Sequence, residues 1–205
     1  MSHCCETEHT FDGASAAYKR VLWIVIALNA TMFVVETSGG MLARSMALRA
    51  DALDFLGDSI TYAISLAVIG AHLRWRARAA LFKGLSLGAM GVWVLGATAY
   101  HIYVAGMPAP VTMGAVGLLA LAVNVTSALL LFKFRDGDAN VRSVWLCSRN
   151  DAIGNVAVVA AAALVGLTGT PWPDLAVAAG LAVLFLKGAV SIVRHARSDL
   201  AEAAA

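Results

Sequence analysis

The sequence is poor in charge: 14% of its 205 residues are Asp, Glu, Lys or Arg, the net charge is +2, and 60% are hydrophobic. Soluble domains carry about 25% charged residues, so an ordinary soluble fold is excluded. So small a net charge offers no field for attracting nucleic acid, and no nucleic-acid partner is expected. Cysteine is scarce as well. Cys4, Cys5 and Cys147 are too few for a disulfide framework. The four prolines, Pro108, Pro110, Pro171 and Pro173, are confined to two turns. No Ser–His or Cys–His arrangement and no cofactor motif is present. An enzyme is therefore the least favoured function, and no prosthetic group is expected.

The apolar residues, which raise the mean hydropathy to +0.77, gather into long runs near residues 20–43, 48–73, 81–104, 111–134, 143–167 and 175–193. At about 20 residues per span, six helices consume nearly the whole chain. The expected fold is an all-α membrane protein with six transmembrane helices. Residues 1–17 form a short polar tail, 18–196 a six-helix transmembrane domain, and 197–205 a second short tail. The first run is too long for a signal-peptide core and is taken as a span. Basic residues cluster in the 2–3 connection (Arg74, Arg76, Arg78, Lys83), the 4–5 connection (Lys133, Arg135, Arg142) and the C-terminal tail (Arg194, Arg197). The positive-inside rule then places both termini in the cytoplasm. The expected location is a bacterial inner (plasma) membrane, as an integral multi-pass protein.

Two spans cannot cross on apolar residues alone. In the second run the clean stretch, residues 60–73, is about 14 residues, too short for a core of about 30 Å at 1.5 Å per residue. The span must take in Asp51, Asp54 and Asp58. In the fifth run residues 156–167 are too short in the same way, so Cys147, Asn150, Asp151 and Asn155 lie at membrane depth. At 100° per residue, Asp51, Asp54 and Asp58 fall within an arc of about 60°. Cys147 and Asp151 share a face one turn apart, with Asn155 one turn further. These two runs share a polar first half and an apolar second half, a weak sign of an inverted repeat.

An Asp at the bilayer centre costs about 2.5–3.5 kcal/mol on insertion scales, and like charges on one face repel. No Lys or Arg lies on the acidic stripe of the second run. Arg149 lies about 200° round the fifth helix from Cys147 and points away. A metal ion exchanged for protons is the compensation that fits. With the two helices antiparallel, Asp54 lies level with Asp151 and Asp58 with Cys147, giving the metal-site candidates Asp54, Asp58, Cys147 and Asp151. One thiolate with three carboxylates suits Zn²⁺, Cd²⁺, Co²⁺ or Fe²⁺ and disfavours Mg²⁺ and Ca²⁺, which take oxygen ligands. The bland alternative is protonated acids hydrogen-bonding between helices. Three acids on one face opposite a second polar helix favour the metal.

These residues resemble a known family. SMALRADALDFLGD (45–58) is similar to the second helix of the cation diffusion facilitator family, usually S-x-A-L-x-x-D-A-x-H/D-x-x-x-D, with the metal pair at Asp54 and Asp58 and the preceding motif aspartate at Asp51. LCSRNDAIGNV (146–156) resembles its fifth-helix H/D-x-x-x-D-A-x-x-S segment, with Asp151 at the aspartate position, Cys147 where His or Asp is usual, and Asn155 where Ser is common. Glu36, Gly39-Gly40, Asn124 and Asp174 also fit, and the resemblance extends over all six helices. It implies export of a divalent cation and a homodimer. The family usually carries a cytoplasmic C-terminal domain, whereas this sequence ends about ten residues after the sixth run, so a short member without that domain is expected. The 4–5 connection, often His-rich in zinc members, has no His.

The expected function is a proton-coupled antiporter exporting a divalent transition metal, Zn²⁺ before Cd²⁺, Co²⁺ or Fe²⁺. Its partners are the metal ion, protons and the lipid bilayer. The rivals are a membrane protein that binds or senses metal without moving it, and a carrier for protons or organic cations. Asp51, Asn155, Glu36 and Asn150 are candidates for supporting or pathway roles. Asn29 and Asn124 are read as polar glue between helices, worth roughly 0.6 kcal/mol. His3, Cys4, Cys5 and His9 form a candidate cytoplasmic metal-capture cluster, as reduced thiols suit. Gly84, Gly88 and Gly91 form a small-residue packing face, within one protomer or in a dimer.

Overall fold

The structure is a computed structural model that describes residues 15–69, 73–104, 106–136 and 139–202. His3, Cys4, Cys5 and His9 lie outside the described residues. Six helices follow in order: α1 (Ala16–Ala43), α2 (Met46–Ala67), α3 (Leu73–Val104), α4 (Pro110–Leu131), α5 (Ala139–Thr168) and α6 (Trp172–Glu202), with a 3-10 turn at Phe132–Phe134. Ser15 caps α1, its hydroxyl accepting from the Tyr18 amide at 3.2 Å. Arg44 ends that helix in the left-handed region at φ 54°. Proline at the start of α4 removes one of the amides that a helix start would leave unpaired.

Helix boundaries differ from the apolar runs. The second run extends to residue 73, but α2 ends at Ala67. The third run begins at residue 81, yet α3 begins at Leu73. Hydropathy marks only the part of a helix in hydrocarbon, and the Arg- and Ala-rich stretch between these limits favours helix. One consequence is that Lys83, expected in a connection, lies about three turns inside α3.

Five helices are long and apolar enough to cross a membrane; α2 is the exception. Its placement compensates. Among the described residues α2 packs against each of the other five helices, while α3 pairs with α6 and α4 with α5. The helix without an apolar span is thus wrapped by the others, and large side chains such as Trp93, Tyr103, Val111 and Leu129 face outward. Glycines set the close approaches. A Cβ on Gly84 lies 2.8 Å from Val193 Cγ2, and one on Gly91 lies 3.0 Å from Leu186, so this small-residue face packs α3 on α6 within the protomer. Gly39 lets α1 meet α4, where a Cβ falls 2.8 Å from Val116.

Candidate metal site

The acidic stripe of α2 faces α5. Asp51 is 2% exposed and Asp58 9%, and Asp54 is half-buried, as are Cys147 and Asp151 on α5. Asp54 and Asp58 each make side-chain contact with Asp151. The Cys147 thiol adjoins the Tyr62 hydroxyl and lies within the field of Asp58 and Asp54. The four residues singled out on two helices are therefore neighbours, and Asp151 is the hinge of the group. Its Oδ2 is buried and accepts no hydrogen bond.

They are not yet a coordination shell. Among the described residues no group of three or more His, Cys, Asp or Glu side chains stands in metal-holding geometry. Asp58 turns instead to Tyr62, whose hydroxyl donates to its Oδ2. That hydroxyl also lies 3.3 Å from Ser148 Oγ and 3.4 Å from the Val144 carbonyl, both on α5. Sequence reasoning missed Tyr62, although a signal exists: it is one turn beyond Asp58 on the same face.

A second polar chain branches toward α1 and α4. Asn155 Nδ2 donates to Asp51 Oδ2 at 2.5 Å, and Asn124 Nδ2 donates to Asn155 Oδ1 at 2.9 Å. Glu36, 0% exposed, contacts Asp51 from α1. Asp51, Asn155 and Glu36 thus join one network, and Asn124 belongs to it rather than standing alone. Asn29 stays local, its Nδ2 donating to the Val25 carbonyl at 2.8 Å. Asn150 is not brought in: it is exposed and accepts from Arg149 at 3.1 Å. Arg149 lies 5.3 Å over the Trp145 ring, turned from the acids.

At the N-terminal end of α2, Asp174 has a different part. Its Oδ1 accepts from the Ser45 hydroxyl at 2.5 Å and the Ala47 amide at 3.1 Å, and its Oδ2 from the Met46 amide at 2.7 Å. The first residues of α6 thereby cap α2, satisfying amides that no helical carbonyl reaches.

The chain matches the family model of the cation efflux transmembrane domain over residues 22–201. The chain belongs to the cation diffusion facilitator family. It is an integral multi-pass membrane protein of a family of transporters rather than enzymes. Among curated relatives, the metal cation efflux system protein CzcD of Cupriavidus metallidurans is 30% identical over 176 residues, 78% of this chain and 54% of that protein. The cadmium, cobalt and zinc/H(+)-K(+) antiporter of Bacillus velezensis is 24% identical over 208 residues, 95% of this chain and 66% of the relative. The zinc transporter ZitB of Pectobacterium atrosepticum is 27% identical over 207 residues, 95% of this chain and 63% of the relative. This facilitator chain spans about half to two thirds of the length of these relatives.

Proposed function

We propose that the chain is a proton-coupled antiporter that exports Zn²⁺ from the cytoplasm through Asp54, Asp58, Cys147 and Asp151, between α2 and α5. The observation that carries this reading is the meeting of these acids around Asp151, with a buried carboxylate oxygen that accepts no hydrogen bond. Carboxylates in contact repel unless a proton or cation lies between them. A bound divalent ion and shared protons are therefore alternative ways of neutralising the same group. Exchange of one for the other is antiport.

The donor set favours borderline metals. A thiolate beside carboxylates suits Zn²⁺, Cd²⁺ and Co²⁺, and the names of the relatives mention cadmium, cobalt, zinc and antiport. With both termini cytoplasmic, the C-terminal end of α2 and the start of α5 face the cytoplasm of an inner membrane. Tyr62 then stands between the acids and that side. Metal taken by Asp58 competes with the Tyr62 hydroxyl, which also lies against α5. Ligation thus loosens a contact between the two helices, as alternating access requires. Asp51, Asn155 and Glu36 serve as the supporting branch, and the working unit is a homodimer.

The test is metal flux in proteoliposomes of the full chain, with and without a pH gradient. Gradient-dependent Zn²⁺ transport is expected, abolished by Asp58→Ala and by Asp151→Ala. Wild-type rates in either variant overturn the site. Stoichiometric Zn²⁺ binding without flux replaces the transporter by a metal-holding protein.

A further inference from the structure

Lys83 is a cation that the positive-inside pattern assigns to a connection and the structure ties to the face of α2 that carries the acids. Its Nζ donates to Ser65 Oγ at 2.9 Å, tying α3 to α2. Ser65 is 1% exposed and Lys83 half-buried. Ser65 lies two turns beyond Asp58 on the same face of α2, about 10 Å along the axis, with Tyr62 between them. From this anchor the Lys83 charge acts on Asp58 of α2 and Cys147 of α5. Among the described residues no carboxylate lies within ion-pair distance of Lys83. Its charge is near the site but not locked to it.

We propose that Lys83 is a tethered cation that sets how tightly the α2–α5 site holds its metal, and so how readily the metal leaves. The proposal rests on the metal site described above. A fixed positive charge beside the acids neutralises part of their potential and repels a divalent ion. Such a charge about 10 Å away in a medium of effective dielectric about 20 alters divalent binding by more than tenfold. The crowded acids bind metal, and Lys83 prevents them from binding it too well to release. A carrier gains from that balance, because tight binding slows turnover. The hydrogen bond to Ser65 ties the side chain to α2, but the charge, not that bond, sets the affinity.

The experiment is a charge ladder in the purified full chain: Zn²⁺ affinity by calorimetry near neutral pH, and Zn²⁺ efflux from proteoliposomes, for wild type, Lys83→Arg, Lys83→Gln, Lys83→Met and Lys83→Glu. Lys83→Gln retains a donor for Ser65, so it separates loss of charge from loss of the hydrogen bond. The expected order is wild-type affinity in Lys83→Arg, binding more than about tenfold tighter in Lys83→Gln and Lys83→Met, and tighter still in Lys83→Glu, with efflux slowing in the same order. Ser65→Ala keeps the charge and stays within about twofold of wild type. A strut between helices predicts the reverse, with every neutral variant binding more weakly or unchanged. A flat or inverted ladder in chains that bind Zn²⁺ overturns the role of Lys83 alone. If wild type binds no Zn²⁺, the site fails and this role fails with it.

Discussion

Two of the places where the bundle holds aspartates have opposite surroundings. At the N-terminal end of α2, Asp174 accepts one hydroxyl and two amide hydrogen bonds. Seven residues further along α2 and beyond, Asp54, Asp58 and Asp151 meet one another, with Asp151 Oδ2 buried and unpartnered. A carboxylate supplied with donors is a structural part, because its charge is already neutralised by dipoles it cannot exchange. A group of carboxylates short of donors is held ready for something mobile. Burial alone does not tell the two apart; the donors do.

That contrast can be broken in four ways. The largest expected effect is on flux: Asp58→Ala or Asp151→Ala lowers proteoliposome Zn²⁺ transport by about 100-fold or more, since removing one of the four proposed ligands costs several kcal/mol of metal binding. Folding survives, because relief of like-charge repulsion offsets lost contacts. Asp174→Ala shows the converse. It strands the Ser45 hydroxyl and two amides and destabilises the fold by about 2 kcal/mol, read as a lower melting temperature in detergent. Flux per folded molecule is unchanged, and added Zn²⁺ raises its melting point as it does that of wild type. Were Asp174→Ala to abolish metal binding in folded protein, the division between structural and mobile neutralisation would fail.

Smaller effects sharpen the comparison inside the site. Cys147→Ser removes the soft donor and lowers Cd²⁺ affinity relative to Zn²⁺ by about tenfold, while Cys147→His keeps Zn²⁺ within a few-fold. Equal Cd²⁺ and Zn²⁺ losses in competition assays would show that the thiol is not a ligand. The smallest effect belongs to Asn150→Ala, which leaves flux and melting temperature unchanged within about 0.5 kcal/mol, since its partner is the exposed Arg149.

The legible part of the site was the part governed by one helix. Asp54 with Asp58, and Cys147 with Asp151, follow from a rotation of 100° per residue, and the shortage of apolar residues in α2 forces the acids to membrane depth. Asn150 shows the limit. It adjoins Asp151 in sequence and shares its depth, but the same rotation carries its side chain out of the interface. Lys83 shows another, since charge counting treats a lysine near a span's end as an orientation signal and cannot see a stem reaching a neighbouring helix.

Local periodicity and span length, then, determined the six helices, the acidic stripe of α2 and the Cys147–Asp151 face of α5, because these depend on residues a few positions apart. The tertiary structure alone decided that α2 lies among all the others and meets α5, that Asp174 caps it from α6, that Asn124 extends the Asp51 branch, and that Lys83 is tied to Ser65 on the acidic face of α2. Each of those joins residues on different helices. Their meeting depends on how the helices are rotated and how closely glycines such as Gly84 and Gly39 let them pack, which the pattern along any single helix does not specify.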